Sequence, residues 1–155
     1  MKKYLWYLVL VAAVAALGAK PSAGKDIGKL QPVQVVWVSR LENAVVVQTD
    51  TGDQGAGHTL QAAVEAMTAA AMGEVFLETA DHLLLSPDCM DLLPDAMMLL
   101  RPSCTLCLTQ GEPELEQVGT FLRQHPPNMT LTHFRAGGGE LQILKTDEGR
   151  MELVS

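Results

Sequence analysis

The chain has 155 residues, of which 48% are hydrophobic, a size and composition that suit one domain with its own core. Eighteen acidic side chains outnumber eleven basic ones, and the formal net charge is −7 at pH 7. Because phosphate binding depends on clustered lysines and arginines, this balance argues against nucleic acid as a partner and against electrostatic attachment to an anionic lipid surface.

Residues 1–19 have the pattern of an export signal. Lys2 and Lys3 precede sixteen uncharged residues, 4–19, which is the order of a signal peptide. Ala16 and Gly18 supply small residues at the positions that a signal peptidase recognises. The segment could instead stay uncut as a membrane anchor, although a span needs about 20 apolar residues. Both alternatives predict that the remaining chain is extracytoplasmic, either secreted or anchored to the outer face of the membrane.

A linker and a β-hairpin are expected next. Residues 20–30 are polar and contain several glycines and lysines, which indicates a linker. Residues 31–155 are then expected to form a single α/β domain. Its first two strands are predicted at Val33–Ser39 and Ala44–Thr49, two β-branched runs separated by the mostly polar segment Arg40–Asn43.

The first helix follows a segment rich in glycine and aspartate. Asp50–Gly57 is interpreted as the connection from the hairpin, since both residue types are common in turns. Thr59 is placed as the N-cap of the helix. The apolar positions that follow recur at helical spacing: Leu60, Ala63, Val64 and Met67.

The middle of the chain alternates between strands and helices. Gly73–Ser86 returns to strand-like residues and contains the apolar run "HLLLS", long enough for one buried strand. A helix is predicted from Pro87 to Leu100, and Pro94 either kinks it or divides it in two. Strand Ser103–Gln110 and helix Glu112–His125 come next. This alternation predicts a parallel or mixed sheet.

Two further strand predictions complete the domain. Pro126–Phe134 is expected to reach a short strand, and Glu140–Val154 a terminal hairpin that turns at Asp147–Gly149. The predicted fold is therefore a single α/β domain with a mixed sheet, an N-terminal hairpin, central β-α-β-α units and a C-terminal hairpin.

Asp50-Thr51-Gly52 matches the tripeptide on which aspartic proteases carry their catalytic carboxylate. Those enzymes have apolar residues before the tripeptide and Ser or Ala after it, whereas Gln48-Thr49 and Asp53 occupy these places here. A second carboxylate so close would also disturb the coupled titration of the two catalytic carboxylates that share a proton in those enzymes. The mixed α/β prediction does not suit their all-β fold, so a solvated acidic turn is favoured.

The cysteines and histidines offer other candidate groups. Cys104 and Cys107 form a C-x-x-C, which in an exported protein suggests a disulfide or a redox pair. Residues three apart on a strand point to opposite faces, so buried free thiols are favoured, and Cys89 has no evident partner. The four histidines show no metal-binding spacing. His82, at the entry of a buried strand, is interpreted as a hydrogen-bonded structural residue.

The chain resembles the N-terminal domain of the Ger(x)C family, the C-subunit lipoproteins of spore germinant receptors. The similarity covers Asp26–Gln124 and rests on a helix start, a later His-Leu strand and a glycine after the next strand, with these matching residues: Gly57, Thr59, Ala63, His82, Leu83 and Gly111. The resemblance implies a noncatalytic domain that works in a membrane-associated receptor complex. It also implies that Asp50 and Asp53 lie on the connection into the first helix.

The expected function is that of a noncatalytic extracytoplasmic protein-interaction domain in a bacterial envelope or spore membrane, related to germination. Its expected partners are other envelope or membrane proteins, with membrane attachment through residues 1–19 if they stay uncut. No residue is assigned to catalysis, to a cofactor or to a metal. The alternative is an exported enzyme, either a thiol-redox protein using Cys104 and Cys107 or a hydrolase using Asp50.

Overall fold

The apolar runs of the sequence form the middle of one seven-stranded sheet. A computed structural model describes residues 32–147 and 149–155, so the predicted export segment and linker, residues 1–19 and 20–30, lie outside the described residues. The strands are β1 Val35–Leu41, β2 Ala44–Thr49, β3 Gln54–Gly57, β4 His82–Leu85, β5 Thr105–Thr109, β6 Ile143–Asp147 and β7 Arg150–Val154.

Four α-helices accompany these strands in the described part of the chain: α1 Leu60–Ala70, α2 Leu93–Leu99, α3 Leu115–Gln124 and α4 Leu131–Gly137. Two 3-10 helices, Leu77–Thr79 and Pro87–Leu92, precede β4 and α2. None of the described helices has the length and apolarity that crossing a membrane requires.

The sheet is mixed, and the order of its strands is β3-β2-β1-β4-β5-β6-β7. The four central strands β1, β4, β5 and β6 are parallel to one another, whereas β2 and β3 on one side and β7 on the other pair in antiparallel fashion. The predicted α/β fold with a mixed sheet and two hairpins is confirmed.

Helices cover the two faces of the sheet unequally. On one side, called the three-helix face, α1, α2 and α4 pack on Val36 and Val38 of β1 and their neighbours in one large core. On the other, the α3 face, a smaller core joins Val118 and Leu122 of α3 to Val35 and Trp37 of β1. Alternate residues of β1 thus enter opposite cores, as the two-residue period of a strand requires. Within the described residues, one ten-residue helix packs on this face and three helices pack on the other, so helices cover less of the α3 face.

The connection predicted at Asp50–Gly57 contains an additional strand. Only Asp50–Asp53 forms a turn, and β3 then pairs with β2 along the edge of the sheet. Its glycines face α1: a Cβ at Gly55 would lie 2.2 Å from the carbonyl oxygen of Ala63 and 2.3 Å from the backbone nitrogen of Met67. These glycines let the helix backbone approach the strand, so their role differs from the turn role that the sequence suggested.

The strand predicted in Pro126–Phe134 is wrong. This segment makes a single β-bridge. In it, the backbone nitrogen of Leu106 donates to the Met129 carbonyl at 2.8 Å, and that of Leu131 donates to the Cys104 carbonyl at 2.9 Å. The chain then turns into α4, because the Thr130 hydroxyl accepts a hydrogen bond from the backbone nitrogen of His133 at 3.1 Å and caps the helix.

Two predictions for the middle of the chain are confirmed: the buried strand in "HLLLS" and the division of the following helix at Pro94. Of Gly73–Ser86, only the apolar run His82–Leu85 forms a strand, and all four of its residues are buried. The predicted helix Pro87–Leu100 is divided, since a 3-10 helix gives way to α2 next to Pro94. Pro94 lies in the first turn of α2, where its missing N–H has no helical partner to lose.

The hairpin between β1 and β2 holds a residue in an unfavourable conformation. Leu41 pairs with Ala44 across a two-residue loop, in which Glu42 has a φ of 54°. A left-handed conformation costs a residue with a Cβ about 1–2 kcal/mol. We expect Glu42→Gly to raise the free energy of unfolding by about 0.5–1 kcal/mol, after the greater entropy of glycine in the unfolded chain is subtracted. Urea unfolding measures this change, and Asn43→Gly, without a left-handed backbone to relieve, is expected to bring no gain.

Candidate functional site

Asp50 stabilises the start of β1. Its Oδ1 accepts hydrogen bonds from the backbone nitrogens of Gln34 at 3.0 Å and Val35 at 3.2 Å, and its own nitrogen donates to the Val35 carbonyl at 3.2 Å. The next residues close a tight turn in which Gly52 has a φ of 87°. The carboxylate of the D-T-G tripeptide is therefore engaged with the backbone at the amino end of the parallel strands.

The two thiols of the C-x-x-C lie on opposite sides of the sheet. Cys104 belongs to the core under the three-helix face and Cys107 to the core under α3, and Cys89, Cys104 and Cys107 are all free and buried. Burial raises the pKa of Cys104 and of Cys107 to about 12 and that of Cys89 to about 11. The prediction of buried thiols on opposite faces is confirmed.

His82 lies in a polar group at the amino ends of β4 and β5. Its ring Nδ1 is 2.7 Å from the Thr105 hydroxyl, and 8% of the residue is exposed. Burial lowers the pKa of His82, the nearby Arg123 cation lowers it further, and Asp50 opposes the change with a smaller effect. The hydrogen bond predicted for His82 is present, and the folded protein favours the neutral ring.

The pH dependence of stability tests this environment. Because the folded pKa of His82 is lower than its unfolded value near 6.5, the unfolded chain binds the proton first as the pH falls. The free energy of unfolding is expected to be unaffected above pH 7 and to decrease below about 6.5, by less than about 1.4 kcal/mol per pH unit. Urea unfolding between pH 7 and 5 should show a flatter profile for His82→Asn than for the parent. His133→Asn, at an exposed position, should reproduce the parental slope.

A cleft of about 550 Å³ opens at the carboxyl ends of β1, β4 and β5. Its floor is the uncovered part of the α3 face, where the pairs Trp37–Gln48 and Ser39–Val46 lie side by side on β1 and β2. Its walls are the loops that leave the neighbouring strands, Ser86–Asp88 after β4 and Gln110–Glu112 after β5. Open α/β sheets bind their ligands at this edge, outside the carboxyl ends of the parallel strands.

Trp37 places an unsatisfied polar group beneath this cleft. The residue is 6% exposed and lines the floor, and its indole Nε1 is the buried side-chain nitrogen or oxygen without a hydrogen-bond partner in the described part of the chain. A buried donor without an acceptor costs about 1–3 kcal/mol. Folded proteins usually pair such groups, so this donor is an exception within the described part of the chain.

The rim of the cleft is acidic. Asp88 and Glu112 line the cleft on the loops that follow β4 and β5, and both are exposed. The one cation in the lining, Arg40, donates to the Asp88 carbonyl oxygen at 2.7 Å and to the Asp91 carboxylate at 2.9 Å. This contact lowers the pKa of Asp91. Since Arg40 is already paired, an incoming ligand meets an excess of negative charge.

Sequence reasoning missed this cleft, although it had one signal. The three parallel strands that meet there each have a hydroxyl residue near or just after their carboxyl end: Ser39, Ser86 and Thr109. A parallel sheet brings such positions to one edge. The order of the strands, which decides that β1 lies beside β4, was needed to place them together.

The residues of the Ger(x)C resemblance occupy junctions of the fold. Thr59 caps α1 by accepting from the Ala62 nitrogen at 3.1 Å, which confirms its predicted role. A Cβ at Gly57 would lie 2.6 Å from the Ala63 nitrogen, so these two positions pack against each other. His82 and Leu83 begin β4, and Gly111 lies in the loop that walls the cleft.

No protein-family model matches the chain, and neither the curated proteins nor the solved structures contain a significant match.

Proposed function

We propose that the chain is a noncatalytic, extracytoplasmic protein-interaction domain and that the cleft is its contact surface. The observation that carries this proposal is the position of the cleft. It lies beside α3, on a part of the α3 face that no helix of the described residues covers, at the carboxyl ends of the parallel strands, where α/β domains present their binding residues.

The contacts of the reactive side chains favour this proposal over the enzyme alternatives. Asp50 accepts two backbone hydrogen bonds, a structural role at the start of β1. Cys104 and Cys107 project into different cores, and a disulfide between them would require β5 to bend. A pKa of about 12 also leaves both thiols protonated at neutral pH, whereas thiol exchange needs a thiolate.

The partner is proposed to be a membrane-associated protein of a bacterial envelope. The pattern of an export signal in residues 1–19 supports an extracytoplasmic location. The resemblance to Ger(x)C proteins makes the germinant receptors of the spore inner membrane the first assemblies in which to look. Attachment of the chain to the membrane would rest on the N-terminal segment.

Site-specific photo-crosslinking in the native host tests the proposal. A photoreactive amino acid at Leu41, which lines the cleft and is 69% exposed, is expected to give a discrete adduct in the envelope fraction. The same group at Met72, 104% exposed and outside the cleft lining, is the matched control and is expected to give none. The full-length chain should be followed in growing cells and, if the host forms them, in dormant spores.

Three results would contradict the proposal. Equal adducts from Leu41 and Met72, or no adduct from either position, would remove the cleft as the contact surface. Recovery of the chain in the cytosolic fraction would rule out the extracytoplasmic location. An adduct confined to the envelope of growing cells would support the interaction and rule out a role restricted to spores.

A further inference from the structure

We infer that the cleft recognises a lysine- or arginine-containing peptide segment of its partner. This inference rests on the proposed function and adds the chemistry of the occupant. It follows from three features of the cleft: its charge, the hydrogen-bonding groups of its floor, and the apolar side chain at its lip.

Charge selects a cationic occupant. Asp88 and Glu112 line the cleft on the loops after β4 and β5, and Glu114 and Glu116 follow Glu112 in the chain. Arg40 is held by the Asp88 carbonyl oxygen and the Asp91 carboxylate, so the lining offers no other cation to the carboxylates of Asp88 and Glu112. Residues 32–155 carry six basic and seventeen acidic side chains, so the field of the whole domain adds to the local one.

The floor selects a peptide over a simple cation. A cation such as a polyamine offers only N–H donors, whereas a peptide also offers carbonyl acceptors. Trp37, whose buried indole N–H has no acceptor, lines the floor. The neighbouring hydroxyl and amide groups of Ser39, Gln48 and Ser86 line the same cleft and can both donate to and accept from a peptide backbone.

The lip accommodates the aliphatic part of a basic side chain. Leu41 lines the cleft and is 69% exposed. The methylene stem of lysine or arginine packs on apolar surface while its charged end stays near water and acidic groups. One lysine side chain can therefore contact Leu41 and the carboxylate of Asp88 or Glu112 together.

Fluorescence titration of the full-length chain tests the inference. The chain contains two tryptophans, Trp6 and Trp37, so Trp6→Phe leaves Trp37 as the single reporter. The probes are a capped octapeptide alternating lysine and alanine, a capped octapeptide alternating glutamate and alanine, and spermine, which has the charge of the first peptide without its backbone. We expect a saturable change with the lysine peptide, binding at least about tenfold weaker with spermine, and no change with the glutamate peptide.

Charge-matched variants distinguish attraction of the peptide to the cleft from its attraction to the negative charge of the whole domain. Asp88→Asn with Glu112→Gln is expected to weaken binding of the lysine peptide about tenfold or more. Glu65→Gln with Glu78→Gln removes the same charge at exposed positions outside the cleft lining and is expected to change binding less than about twofold.

Each opposite result has a defined meaning. Equal weakening by the two double variants would show attraction to the whole acidic domain and overturn the inference. Equal affinity for spermine and for the lysine peptide would overturn recognition of a peptide. Absence of saturable binding to the lysine peptide, together with a crosslink at Leu41, would overturn the basic occupant while leaving the proposed interaction surface intact; failure at Leu41 would remove that surface itself.

Discussion

Gly55→Ala is expected to lower the free energy of unfolding by about 2–3 kcal/mol. The new Cβ would lie 2.2 Å from the Ala63 carbonyl oxygen and 2.7 Å from the Met67 Cα, distances that no relaxed contact shows. These atoms belong to the backbone of α1 and cannot rotate away, so the helix and strand must separate. Urea unfolding followed by far-UV circular dichroism measures the loss.

The neighbouring residue of β3 supplies the matched control. Ala56 lies between the two glycines that face α1 and is exposed on the other side of the strand. Ala56→Val adds two methyl groups at a strand position that prefers β-branched residues, and a change within about 0.5 kcal/mol is expected. Equal stabilities of the Gly55→Ala protein and the parent would contradict the close approach of α1 to β3.

The regular part of the fold could be predicted because its signals are local. The β-branched and leucine-rich runs that became β1, β2, β4 and β5 are apolar enough to need burial wherever they lie. The turn of the N-terminal hairpin follows from the polar residues between Leu41 and Ala44. The mixed sheet then follows from the alternation of these runs with helical segments.

The errors occurred where tertiary contacts outweigh local preference. Gly55 and Gly57 suggested a turn because glycine is common there, but in the folded chain they create room for α1 against β3. In Pro126–Phe134, the buried Met129 and Leu131 alternate with threonines and imitate a strand. Thr130 instead caps a helix, and a short apolar run does not separate these possibilities.

The candidate site was hidden for a different reason. Trp37 stands in the middle of the apolar run Val35–Val38, where the sequence indicates burial and nothing about the indole N–H. The acidic residues of the rim come from two loops more than twenty positions apart in the chain, after β4 and after β5. Only the parallel pairing of these two strands brings Asp88 and Glu112 to the same cleft.

Asp50→Ala is expected to lower the free energy of unfolding by about 2–4 kcal/mol. The substitution removes the oxygen that accepts from the backbone nitrogens of Gln34 and Val35, and Val35 is fully buried. Each backbone donor left without a partner costs about 1–3 kcal/mol, with water compensating in part at the more accessible Gln34. Urea unfolding of the variant against the parent measures the loss.

Asp50→Asn decides whether the D-T-G tripeptide is a structural or a chemical feature. The amide oxygen can occupy the place of Oδ1 and accept the same two hydrogen bonds, so the expected loss is about 1 kcal/mol, from the weaker neutral acceptor. A hydrolase using Asp50 predicts the reverse pattern, in which asparagine abolishes peptidase activity because it cannot exchange a proton. Equal destabilisation by alanine and asparagine would contradict the structural role, since that role requires an acceptor oxygen and does not require a charge.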